Sequence, residues 1–366
     1  MPLPVRYLHC IMNAAYRLAV LAMIAGSFQL HGIAADPTPP QAPASSVPKA
    51  IAARSLSFLQ EKGQAWIDDR SCVSCHQVPS MLWSLHRAAQ SGLPVDVKYL
   101  DETSKWSVDW KNWNQSGAKD GLQKVAAANT ATMAFLLLAL PPEYSAQADS
   151  SSGSQPWVEA LRALLLDHQQ KDGSWKAGGQ LPLSKRPARE NDEVATMWVL
   201  LALKPKSAPE AVNIPPDPRL ATAQDRAHTF LATAASGQST EWHATRLLLH
   251  PQDESLREAL LKLQHPDGSW GWLAAEPGDA YGTGLALYAL AKCQPKPVAS
   301  EAVQRAIRYL NDTQKPDGSW LVPSTRGRDK NKPIPTSIYW GTAWAVVGLL
   351  EWDAATQIAV APVPQG

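Results

Sequence analysis

Cys72, Cys75 and His76 stand together in CVSCH (72–76), and their spacing suits one chemistry above others. Two thiols in a Cys-x-x-Cys stretch can bond the two vinyl groups of a c-type haem, and the histidine that follows ligates its iron. A Cys72–Cys75 disulfide would use the same thiols in a redox or structural role. A metal other than haem iron is the third use, but zinc wants a second Cys-x-x-Cys or a histidine pair, which the sequence lacks. The reading adopted is covalent haem c, held by Cys72 and Cys75 with His76 as proximal ligand. For the sixth position Met81, Met133, Met197, His86 and His243 have the right type. His86 lies ten residues along the same helix from His76, about 15 Å at helical rise, too far for one iron. Met81 beside Leu82 and Trp83 reads as core. Met133 and His243 come from other helices and rank first. An open sixth position suits small-ligand or peroxide chemistry, and a filled one suits electron transfer.

A second group could do acid chemistry: Asp192 and Glu193 in ENDEVAT (190–196), Glu241 and His243 in TEWHATR (240–246), and Asp279 before AYGTG. A catalytic acid must be kept protonated in a dry setting. Acids at a helix start also cap free N–H groups and favour the helix dipole, which is the preferred reading of Asp192 and Glu193. Trp242, Tyr281, Tyr339 and Trp340 could hold a sugar or lipid, although packing is the commoner use of such rings.

These residues must be positioned by a repeated architecture. QQKDGSW (169–175), QHPDGSW (264–270) and QKPDGSW (314–320) nearly copy one another, and QEKGQAW (60–66) reads as a worn fourth copy. Each clean copy follows an amphipathic run with apolar residues at three- and four-residue steps, as in EAVQRAIRYLNDTQ (301–314). Asp-Gly then stops the helix, because glycine takes the left-handed conformation readily. A more apolar helix follows: NDEVATMWVLLAL (191–203), DAYGTGLALYALA (279–291) and TSIYWGTAWAVVGLL (336–350). Three further pairs keep the rhythm, and the first joins IAARSLSFLQ (51–60) to HQVPSMLWSLHRAA (76–89). Helices apolar on all sides belong inside. Six such hairpins predict an all-α (α/α)6 toroid in a single domain, with an open solenoid as the runner-up.

The Gln-x-x-Asp-Gly-Ser-Trp copies resemble the QW motifs of the terpenoid cyclase and prenyltransferase toroids, the squalene–hopene cyclase group, over residues 51 to 354. The resemblance implies that Gln169, Trp175, Gln264, Trp270, Gln314 and Trp320 are scaffold. It also implies a substrate-protonating Asp-x-Asp-Asp at an inner-helix mouth. ENDEVAT matches that only through Asp192 and Glu193. Prenyltransferase subunits of this fold hold zinc with Asp, Cys and His. Cys293 and His243 lie at opposite ends of their helices and do not form such a pair. Cys293 reads as an ordinary buried thiol. Cys-x-Ser-Cys-His together with QW-type repeats is similar to exported proteins of planctomycete-like bacteria.

The chain's ends set the context. Arg6 and Arg17 precede the apolar run LAVLAMIAGSFQL (18–30), with small residues in GIAAD (32–36), so residues 1–35 read as a signal peptide. Residues 36–50 form a Pro/Ala-rich tether, 51–354 the toroid and 355–366 a tail. An exported, periplasmic or otherwise extracytoplasmic protein is expected, with no membrane span after signal cleavage. A formal net charge of +1 gives no electrostatic reason for a nucleic-acid partner. A redox partner protein or a small ligand is expected instead. The leading function is electron transfer or small-ligand redox chemistry at the toroid mouth. The alternatives are a cyclase-like or lyase-like enzyme using the acids above, or a sugar- or lipid-binding module. The 15 tryptophans, more than the 8 tyrosines and 4 phenylalanines together, await an explanation.

Overall fold

The computed structural model describes residues 46–73, 77–113, 121–141, 157–177, 185–204, 217–293, 301–329 and 331–360. These hold α1 (Val47–Ala53), α2 (Leu56–Arg70), α3 (Gln77–Gln90), α4 (Val97–Val108), α5 (Leu122–Ala128), α6 (Thr130–Ala139) and α7 (Trp157–Asp167). They continue with α8 (Ala188–Leu203), α9 (Arg219–Ala232), α10 (Thr240–Leu249), α11 (Glu254–Lys262), α12 (Ala280–Ala291), α13 (Glu301–Thr313) and α14 (Pro335–Val360). The two helix types follow from their patterns. In α13 the buried side chains Val303, Ala306 and Leu310 recur at three- and four-residue steps, which makes one apolar stripe. AYGTGLALYALA has no polar face, and every residue of α12 is buried.

The inner helices α3, α6, α8, α10, α12 and α14 touch in cyclic order, and α14 packs back on α3. The ring is therefore closed, an (α/α)6 toroid. The outer layer is α1 with α2, then α4, α7, α9, α11 and α13. Gly284 lets α12 and α14 approach closely, since a Cβ there would meet the Trp344 carbonyl carbon at 2.4 Å. Among the described residues no single helix is both long and apolar enough to cross a membrane.

Each clean repeat builds the same turn. Asp172, Asp267 and Asp317 accept from the backbone N–H and the hydroxyl of Ser174, Ser269 and Ser319. Gly173, Gly268 and Gly318 have φ of +90°, +93° and +82°, the region glycine occupies without strain. The indoles of Trp175, Trp270 and Trp320 donate to the Leu165, Leu260 and Leu310 carbonyls at 2.6, 2.8 and 2.8 Å. Orphan carbonyls at the outer helix's C-terminal end are thereby satisfied. The same tryptophans donate their backbone N–H to Thr196, Thr283 and Thr342 on the following inner helix. Gln169 and Gln264 reach the next outer helix at the Ala223 and Ala302 carbonyls, 2.8 and 2.7 Å away. Gln314 closes the ring, donating to the Ile51 carbonyl at 3.2 Å and to Ser55 Oγ at 2.9 Å. Thus the glutamine joins neighbouring hairpins, while the tryptophan joins the two helices of its own.

Three expectations change. QEKGQAW is no turn: it lies inside α2, which runs on until left-handed Ser71 (φ +47°) ends it. Here Gly63 stands one position early, in place of the motif's aspartate, and the helix passes through it. Secondly, α5 is a separate short helix that the sequence pattern did not announce. Thirdly, the last inner helix continues from Pro335 to Val360, with no glycine or proline between Leu350 and Val360 to end it earlier.

The tryptophans also fill the axis. Trp83, Phe135, Trp198, Tyr288 and Trp344 come from five different inner helices and meet in one cluster. Ring centroids are 5.2 Å apart for Trp83–Trp344, 5.3 Å for Phe135–Trp198, and 5.5 Å for both Trp198–Trp344 and Trp83–Tyr288. None is more than 8% exposed. Edge-to-face and tilted pairs of this kind contribute about 0.5–1.5 kcal/mol each beyond the area they bury.

Candidate functional site

The inner helices all present their N-terminal ends to one face of the ring. α10 is capped by Ser239, whose Oγ accepts from the Trp242 N–H, and α12 by Asp279, which accepts from the Gly282 N–H at 2.8 Å. Glu190, in the first turn of α8, accepts from the backbone N–H groups of Gln238 (2.9 Å) and Ser239 (3.0 Å), so one inner helix caps the approach to the next. This is the mouth, and it is rich in buried charge.

At its centre Arg186 pairs with Glu241 at 2.8 Å, with side-chain exposures of 0% and 1%. The guanidinium also donates to Asn191 Oδ1 at 2.6 Å and lies 5.4 Å from the centre of the Trp272 ring. Glu241 further accepts from the Trp198 indole at 2.9 Å, which ties the mouth to the axial aromatic cluster. Tyr281 stacks on Trp340 at 4.8 Å. Burial, then the charge of Glu241, pushes its phenol well up. Yet among the described residues no hydrogen bond of ordinary geometry joins its hydroxyl to a partner, and the Trp272 indole N–H is likewise buried without one.

Asp279 is 4% exposed. Burial lifts its carboxyl to about 7, only partly opposed by the backbone N–H groups of Gly282 and Trp272. It is an acid that keeps its proton into the neutral range. Glu193 is differently placed: it accepts from the Trp242 indole and from Arg189, both at 2.8 Å. Asp192 faces outward and pairs with Lys176 at 2.6 Å. Of the five acid-chemistry candidates, Glu241 and Asp279 are brought to the buried centre, and Glu193 packs beside it. His243 turns toward its own loop, its Nε2 donating to the Gly237 carbonyl at 3.1 Å, with burial lowering its pKa. Arg186 escaped the sequence reading. It stands in a loop, and its partner lies 55 residues on, with no local spacing to link them.

Cys72 and Val73 precede the N-terminal end of α3. Cys75 and His76 lie outside the described residues. Cys72 is 6% exposed, and its carbonyl accepts from the Trp66 indole at 3.1 Å. Val73 donates to the Asn112 carbonyl at 2.5 Å, which fixes the strand of chain beside α4. Met133, on α6, is fully buried. Met197 sits under Thr245, and Met81 accepts from the Tyr99 hydroxyl, so both serve as core. His86 meets Ser104 at 2.9 Å. Cys293 is buried, which pushes its thiol up, as expected of a packing residue.

A comparison with curated proteins found no match. Among solved structures, the chain is similar to the type II terpene cyclase MstE from Scytonema, with 15% identity, 84% of this chain and 99% of that chain covered, and a TM-score of 0.45. It is also similar to a protein described as wild-type glycosidase, with 14% identity, coverage of 84% and 97%, and a TM-score of 0.45. A possible member of the GH105 family from Salmonella enterica follows, with 15% identity, coverage of 85% and 83%, and a TM-score of 0.35. In sequence, residues 240–363, from α10 through α14, match the squalene-hopene cyclase C-terminal domain.

Proposed function

We propose that this chain carries a c-type haem at the mouth of its ring, bonded through Cys72 and Cys75 with His76 on the iron. It would serve electron transfer or small-ligand redox chemistry outside the cytoplasm. The observation that carries the reading is the placing of Cys72 just before α3, its carbonyl held by the Trp66 indole and the next residue by the Val73–Asn112 bond. Gln77, the first residue of α3, adds a buried side-chain carbonyl with no partner, beside the position of the ligating histidine. A carbonyl left without a partner among the described residues, next to the Cys-x-x-Cys-His stretch, supports a bound group at this point. When bound, haem supplies a one-electron couple or a place for a small ligand. The protein's own part is to stop α2 at Ser71 and to hold the backbone of Cys72 and Val73 through Trp66 and Asn112. The test is expression in a host with haem-maturation machinery, then a pyridine haemochrome spectrum and intact mass. One haem per chain, lost in Cys72→Ala/Cys75→Ala, is expected. An apo mass without Soret absorbance overturns the proposal.

A second reading is acid catalysis, as in a cyclase-like or lyase-like enzyme. It is favoured by Asp279, a buried acid held at about 7 within the segment that matches the squalene-hopene cyclase domain. A general acid works best with a pKa near the working pH. Turnover of a triterpene or prenyl diphosphate that disappears in Asp279→Asn would favour this reading. Turnover unchanged in that variant would remove Asp279 from it.

A further inference from the structure

Three seams between outer helices are stapled by a glutamine: α7 to α9 by Gln169, α11 to α13 by Gln264, and α13 to α1 by Gln314. The seam between α2 and α4 has no such turn, because QEKGQAW is helical there. A groove of about 640 Å³ opens instead, lined by Ser57, Gln60, Glu61, Gln64 and Asp68 of α2 and by Tyr99 of α4. This volume lies within the range of small-molecule sites.

The lining is chemically selective. Gln64 donates to Asp68 at 2.7 Å, while Ser57, Gln60 and Glu61 have side chains engaged by no hydrogen bond among the described residues. The half-buried Tyr99 spends its hydroxyl on Met81 Sδ at 3.4 Å, so what it offers the groove is its ring. Two amides, two carboxylates and a hydroxyl thus converge beside an aromatic face, with no cation among them. A phosphate or carboxylate ligand would meet two uncompensated negative groups. A lipid tail would leave Ser57, Gln60 and Glu61 without partners. A neutral ligand with several adjacent hydroxyls satisfies them all: its O–H groups donate to Glu61 and Asp68, and its oxygens accept from Gln60 and Gln64. Its C–H face lies on Tyr99.

We propose that the α2–α4 groove is a carbohydrate-binding site sized for one or two sugar units. The proposal is independent of the haem reading and of the mouth. Its test is saturation-transfer NMR on the full chain with a panel of glucose, galactose, N-acetylglucosamine, maltose, cellobiose and chitobiose. At least one sugar is expected to give saturable transfer, with affinity falling tenfold or more in Gln60→Ala and Tyr99→Ala. Tyr99→Phe, which keeps the ring and fold, should bind as the parent does. No transfer from any sugar overturns the proposal, as does transfer indifferent to Gln60→Ala and Tyr99→Ala. Binding of an oligolysine probe instead, weakened by Glu61→Gln and Asp68→Asn, would make the groove a cation site and equally overturn it.

Discussion

Burial lifts Asp279 to about 7 in the folded ring, whereas in the unfolded chain it titrates near the ordinary 3.8. Between those values the folded state binds the proton and the unfolded state does not. The contribution is therefore fully present below the lower pKa and is lost as pH rises through the higher one. Urea midpoints measured from pH 4 to pH 8 should fall more steeply with pH for the parent than for Asp279→Asn. Equal slopes would contradict the raised pKa. The Arg186–Glu241 pair makes a second residue-scale prediction. Removing one partner strands a buried charge, so Arg186→Ala should cost about 3–5 kcal/mol. The double variant Arg186→Met/Glu241→Leu should cost much less than the two single changes summed, because no uncompensated charge remains. Additive losses would show that the pair is not coupled. Part of this centre was legible in the sequence. Glu241 and Asp279 stand at helix starts, which spacing reveals. Arg186 was not legible, because a loop residue acquires its partner only when the ring closes over it.

The elements were readable wherever a local device defined them. Asp-Gly after an amphipathic run marked three outer helices, because each turn needs a left-handed residue at that point. QEKGQAW kept the glutamine and tryptophan of the motif but not the Asp-Gly, and the helix ran straight through it. The Asp-Gly pair, more than the tryptophan, decides whether the motif is a turn. Gly268 tests this, since its φ is +93° and a Cβ would lie 2.6 Å from the Arg305 carbonyl on α13. Gly268→Ala should cost roughly 1–3 kcal/mol for the backbone conformation, and more for the clash. Gly92 has a φ of +71°, and a Cβ there would meet only Lys49 Nζ at 3.9 Å, so Gly92→Ala should cost only the smaller, conformational part. Denaturant unfolding of both variants measures the difference, and equal losses would mean that the docking of α13 on the turn contributes nothing.

At the scale of the whole molecule, the seam between the last outer helix and the first holds the ring closed. Gln314→Ala should raise amide hydrogen exchange in α1 and α13 together, while leaving α7 and α9 unchanged. Uniform exchange would mean that closure does not depend on this staple. The sequence announced six hairpins, but their closure rests on contacts between α14 and α3, and no spacing rule reaches that far. Nor could it show that five aromatic rings would fill the axis, since they come from five separate hairpins. The cluster fills the ring's axis, and the proposed haem attachment lies just before α3. Trypsin cuts after Arg70 and Arg87, releasing residues 71–87 with both cysteines and His76. Mass spectrometry of that peptide, from protein matured with haem available, tests the central claim most directly. One haem bonded to Cys72 and Cys75 is predicted; an unmodified peptide, or one lighter by two hydrogens through a Cys72–Cys75 disulfide, would contradict it.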